Sequence, residues 1–176
     1  MRRLAFVCLP LCALALPAAA LAYTASAADG TLVLQNASAP KGVAVMTLTI
    51  DGTVLGHVSS GSPDQPDVVY IVDANNTGGV AASGTDLAKS SGPDLKSGGT
   101  RWKLTGSDFR FRAASGVYKV WIYGSGVDVF AVGQGNVTLQ GEPSSSSTSD
   151  GWYSIDGRSR QSLPAAASDL LSVASG

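Results

Sequence analysis

The sequence predicts an all-β protein, a two-layer antiparallel β-sandwich, on three observations. Glycine numbers 21 while charged residues make up only 14% of the chain, a balance that suits short strands and tight turns better than helices. Apolar and polar residues alternate in several stretches, as strands with one buried face require. Turn dipeptides, Asp51-Gly52 and Asp156-Gly157 among them, punctuate those stretches.

Residues 1–27 read as a secretion signal. Met1-Arg2-Arg3 is a short basic start, Leu4 to Ala22 is apolar, and Ala25-Ser26-Ala27 is a small-residue cleavage site, with Ala22 as the alternative end. Pro10 and Pro17 interrupt the apolar stretch, which favours cleavage over a membrane anchor. Cys8 and Cys12 lie inside it, without the small-residue context of a lipid-modified cysteine. The expected mature protein therefore has no thiol, which excludes disulfides, thiolate catalysis and cysteine metal sites. Residues 28–163 are the size of one domain, and 164–176 form an Ala/Ser-rich tail. Without Arg2 and Arg3 the balance is 10 basic to 13 acidic residues, too mild to imply nucleic acid or an anionic membrane as partner. No second apolar segment follows the signal, and the end lacks a wall-sorting pattern. The expected location is the medium or the cell envelope.

The first predicted element is a hairpin, Gly42 to Ile50 and Thr53 to Ser59 around Asp51-Gly52, a pair suited to a type I′ turn. Its register would set Ile50 against Thr53, Leu48 against Leu55 and Met46 against His57. Asp67 to Asp73 is a continuous apolar run of strand length. Asn75 to Thr100 is rich in Gly and Ser and reads as a long surface loop, with a short strand or helical turn at most. Strand character resumes at Trp102 to Leu104.

Phe109 and Phe111 alternate with Arg110 and Arg112, and Val117 to Tyr123 alternates again after Ala113-Ala114-Ser115-Gly116. This reads as a second hairpin, pairing Phe111 with Tyr118 and Phe109 with Val120. The opposite face would then carry Arg110, Arg112, Lys119, Trp121 and Tyr123, with Arg110 set against Lys119. Val127 to Val132 and Asn136 to Gln140 form two further strands around Gly133-Gln134-Gly135, and Asp156-Gly157 closes a last hairpin placing Tyr153 opposite Arg160. Glu142 to Ser149 is a Pro/Ser loop, and the tail is a frayed helix near Leu170 or disordered. The predicted core is Leu48, Val69, Ile71, Phe109, Phe111, Tyr118, Val120, Ile122, Phe130, Val137 and Leu139.

The residues Phe109-Arg110-Phe111-Arg112, Gly126-Val127-Asp128, Val132-Gly133-Gln134-Gly135, Val137 to Gly141 and Asp150 to Gly157 resemble those of a family of uncharacterised exported proteins of high-GC Gram-positive bacteria. The resemblance covers about a third of the expected mature chain and implies a secreted β domain. It carries no activity.

Few constellations carry chemistry. Gly-x-Ser-x-Gly and His-Glu-x-x-His are absent, and His57 is the one histidine, expected to be a partly buried structural residue. Asp64, Asp67 and Asp73 cluster in sequence, but as turn residues beside Pro63 and Pro66 they need no catalytic role. Gly124-Ser125-Gly126-Val127-Asp128-Val129-Phe130 matches part of a calcium-binding nonapeptide, and the following nine residues repeat its glycines. Val137 stands where the second Asp belongs, so strand repetition is favoured over metal. The period does make a short β-roll the runner-up fold. The sequons at Asn36, Asn75 and Asn136 carry meaning only in a eukaryotic secretory pathway.

The best binding candidate is the Arg110, Arg112, Lys119, Trp121 and Tyr123 face, where the rings could stack on sugars and the cations hold an anionic polymer. Trp102 and Trp152 would extend it. The structural alternative, Trp121 and Tyr123 packed beneath the Asn75 to Thr100 segment or a second sheet, is favoured. The expectation is thus a non-catalytic exported β domain without cofactor or metal. A carbohydrate-binding module for cell-wall or extracellular polysaccharide is the first alternative. An enzyme whose site would gather two of Asp64, Asp67, Asp73, Glu142 and His57 is the second.

Overall fold

The computed structural model describes residues 28–60, 66–142 and 151–174. The expected signal, Asp64 and most of the Pro/Ser segment lie outside them. The described chain is all-β, with eleven strands: β1 Gly30–Ala37, β2 Met46–Ser59, β3 Asp67–Asp73, β4 Gly79–Gly84, β5 Ala88–Pro93, β6 Thr100–Gly106, β7 Asp108–Tyr123, β8 Val127–Leu139, β9 Trp152–Ile155, β10 Gln161–Ser162 and β11 Leu171–Val173. All belong to one sheet in the order β10-β9-β1-β8-β2-β7-β3-β6-β5, with β4 beside β7 and β11 beside β8. Every pairing is antiparallel, which replaces the stacked parallel turns of a β-roll.

Three long strands organise the sheet. Three of the turns predicted from sequence are not turns, because β2, β7 and β8 each run straight through them. Gly52 pairs with Gly116 on one side and with Gly133 on the other, so a row of glycines crosses the three central strands. Side chains would block the fold there. A Cβ on Gly52 would come 2.8 Å from the Gly133 Cα, and the Gly133 φ of +147° is one that residues with side chains rarely adopt. Beside this row, Thr53 stands opposite both Ala114 and Ser115, a bulge with Ser115 at φ 61° that bends β7.

The sheet creases along this line and folds over itself. One layer holds β9, β1, the start of β8, the end of β2, the start of β7, and β4. The other holds β11, the end of β8, the start of β2, the end of β7, then β3, β6 and β5. Tyr123 ends β7 in the second layer and Val127 begins β8 in the first, so Gly124 to Gly126 step from layer to layer at the far end. The outer faces consequently point away from each other.

One core fills the interior. Leu48, Ile50, Val69, Ile71, Val120 and Ile122 from the second layer meet Leu32, Leu34, Val54, Phe109, Phe111 and Val129 from the first. Burying each such side chain contributes about 1.5–3 kcal/mol. The bulge shifts the alternation of β7 by one residue, so Phe109 and Phe111 before it and Tyr118, Val120 and Ile122 after it all face inward. Ten of the eleven predicted core residues are buried. Phe130 is not: Val127, Val129 and Ala131 take the inner positions of β8, which turns Phe130 outward and leaves it 43% exposed.

Other expectations need correction. The Asn75 to Thr100 segment contains β4 and β5, small-residue strands that pair with β7 and β6 through backbone alone. The tail forms β11 and buries Val173 against β8. The last hairpin is one residue out of the expected register, with Tyr153 opposite Gln161 and its hydroxyl 2.6 Å from Gln161 Oε1. Strand β1, not assigned from sequence, pairs with β8 and contributes Leu32 and Leu34.

Candidate functional site

All five candidate binding residues lie on the outward face of β7, but the crease divides them. Arg110 and Arg112 are exposed on the first layer, while Lys119, Trp121 and Tyr123 stand on the second. The single surface drawn from sequence becomes two. Arg110 does not face Lys119: its neighbours are His57 and Ser83, and those of Lys119 are Thr49 and Val72.

On the second layer Trp121 lies between Thr47 and Tyr70 in register, and Tyr123 opposite Val68. Tyr70 and Tyr123 meet edge to face with centroids 6.1 Å apart. The Arg101 guanidinium lies 4.7 Å above the Tyr70 ring, and the Lys103 ammonium 5.9 Å from it. Arg101 thereby occupies one side of Tyr70, while Trp121 and Tyr123 remain half-buried rather than sealed. The segment expected to cover them is drawn into β4 and β5 instead. Trp102 packs against the core and Trp152 sits in the first layer, beneath the Arg160 guanidinium at 4.1 Å, so neither extends this face.

Beside the rings lies a groove of about 780 Å³, lined by Pro40, Lys41, Asp67, Tyr70, Tyr123 and Ser125. Asp67 is only 4% exposed; its Oδ1 accepts the Ser125 N–H at 3.2 Å, and its Oδ2 has no hydrogen-bond partner among the described residues. Burial pushes its carboxyl above the ordinary 3.8, against the opposing pull of Ser60 and Ser125. A carboxyl raised by folding weakens the folded state once pH passes its unfolded value. Asp67→Asn is therefore expected to keep or raise thermal stability near neutral pH and to lose that advantage below pH 3.8, as melts at the two pH values would show.

On the first layer His57 is not against Met46 and Leu48 as expected. Because β2 does not reverse at Asp51-Gly52, His57 falls on the outer face, 32% exposed, with Nε2 2.8 Å from Asp108 Oδ1 and Nδ1 3.9 Å from Asp128 Oδ2. Asp128 Oδ1 also accepts the Asn36 N–H at 2.8 Å. Asp128 thus sits on a paired antiparallel strand and serves local structure, not a calcium turn. Asp73 is fully buried and accepts the Gly78 N–H at 3.0 Å, tying the β3–β4 connection. No hydrogen bond or ion pair joins any two of Asp67, Asp73, Glu142 and His57 among the described residues, and no group of three or more His, Asp or Glu side chains among them is placed to hold a metal ion. Nor is any helix among them long and apolar enough to cross a membrane.

No protein-family model, curated protein or solved structure matches the chain. Its function has to be argued from these two faces.

Proposed function

We propose that this is a non-catalytic exported β domain that acts through its surface, in the medium or at the cell envelope, and that its second-layer face binds extracellular or cell-wall polysaccharide. The basic, apolar and small-residue succession of residues 1–27 supports export, as does the resemblance to exported proteins of high-GC Gram-positive bacteria. The observation that carries the binding reading is the half-buried state of Trp121 beside Tyr123 and Tyr70, since a sealed indole would offer a sugar nothing to stack on. Lys103 stands in the row of Trp121 and Tyr70, and Lys119 one pleat along β7 from Trp121, and both supply donors to hydroxyl or carboxylate groups.

A pull-down on cell-wall and acidic polysaccharides tests this. The chain is expected to be retained, and Trp121→Ala to reduce retention about tenfold, the worth of one lost stacking contact. Equal retention of both proteins would end the assignment of sugar binding to this face.

A further inference from the structure

The opposite face carries a second groove, of about 630 Å³, across the outer side of the first layer. We propose that it binds a single-chain amphipathic carboxylate, with the tail over Val33, Phe130 and Leu55 and the carboxylate at Arg112, supported by Arg110. The residues form a row at right angles to the strands. Val33 pairs with Phe130, Phe130 with Leu55, Leu55 with Arg112 and Arg112 with Ala81. Three strand spacings separate Val33 from Arg112, about 14 Å. That is the reach of an extended chain of roughly ten to twelve carbons.

The row is apolar at one end and cationic at the other. Leu55 and Phe130 are adjacent and 42% and 43% exposed, an apolar patch left uncovered at the centre of a sheet face. The floor is apolar as well. Gly56, beside Leu55 on β2, and the buried Phe111 also line the groove, and a Cβ on Gly56 would meet the Phe111 ring on the inner side. Asp128 is the one acidic residue lining the groove; it accepts the Asn36 N–H and stands in the row of His57 and Arg110, two strands and one pleat away from Arg112. Arg110 and Arg112 have no ion-pair partner among the described residues. Charge complementarity therefore selects an anion, and the planar guanidinium fork suits a carboxylate. This surface is separate from the Trp121 face and does not depend on it.

Calorimetric titration of the full chain with dodecanoate, below its micelle concentration, tests the inference. Saturable binding is expected, weakened about tenfold or more by Arg112→Gln and by Phe130→Ser. Lys96→Gln, at an exposed lysine between β5 and β6, is expected to bind as the parent does. Arg112 and Phe130 are exposed, and unchanged circular dichroism would show that both variants fold. The proposal is overturned if dodecyltrimethylammonium binds as well as dodecanoate, or if Arg112→Gln leaves affinity within about twofold. It is also overturned if only phosphatidylglycerol vesicles and not free dodecanoate are bound, which would make the face a membrane contact. A dimer that Phe130→Ser dissociates, with no dodecanoate bound, would overturn it too, because a second copy would then fill the groove.

Discussion

Gly133→Val is expected to cost the protein about 3 kcal/mol or more, a large fraction of the stability of a small domain. Two separate penalties fall on this position. Its φ of +147° is one that a β-branched residue rarely adopts, and a Cβ there would lie 2.9 Å from both the Asp51 carbonyl carbon and the Gly52 Cα. Those are backbone atoms of the paired central strand, so no rotamer change relieves the overlap. Gly92→Ala is the matched control, because a Cβ at Gly92 meets nothing within 4 Å, and its effect is expected to stay within about 0.5 kcal/mol. Urea midpoints of the two variants measure the difference. A Gly133→Val midpoint close to the parent's would mean that the crease does not depend on close approach of the strands.

Tyr118→Ala is expected to cost about 3–5 kcal/mol, the range for truncating a buried aromatic ring. The ring is fully buried, and its hydroxyl donates to the Ala114 carbonyl at 2.7 Å, spanning the bulge that bends β7. Tyr118→Phe keeps the ring and loses that bond, for about 1 kcal/mol. The phenol also gives an alkaline signature. Burial, and after it the charge of Asp73, pushes its pKa from 10.0 up to about 12. The folded state thus holds a proton that the unfolded chain releases from pH 10 upward, so stability is intact below pH 10 and falls by about 1.4 kcal/mol per unit until pH reaches about 12. Subtracting the Tyr118→Phe curve from the parent's over this range isolates the effect. A flat difference would show that the phenol ionises equally in both states.

The inner faces were legible because alternation reports which side a residue takes, whatever the chain does next. On β7 the apolar positions change from odd to even between Ala113 and Tyr118, a change that a tight turn and a bulge both produce. Whether the chain reverses there depends on partners distant in sequence, Gly52 for Gly116, and no local pattern names them. On β2 a signal was present. Leu48, Ile50, Val54 and Val58 keep one parity through Asp51-Gly52, as a single strand demands, whereas a two-residue turn would put Val54 on the other face. The same parity sends His57 outward. Phe130 followed a similar rule, with Val127, Val129 and Ala131 already filling the inner side. Strands β4 and β5 left no trace because Gly, Ala and Ser carry no hydrophobic period, although their backbones pair as any others do. Of the candidate binding residues, their outward aim was legible and their division between two layers was not, since it follows from the crease.

Among the described residues only two of the pairings, β5 with β6 and β9 with β10, join strands that are neighbours along the chain. The central strand β2 is synthesised early, yet both of its partners arrive late, and β8 is not complete until Leu139. The contacts of the central strand therefore form only once most of the chain is available. Folding waits for near-complete synthesis and then proceeds on the millisecond-to-second scale of proteins with distant contacts. On the proposed export, such a delay would leave the polypeptide threadable through a narrow pore.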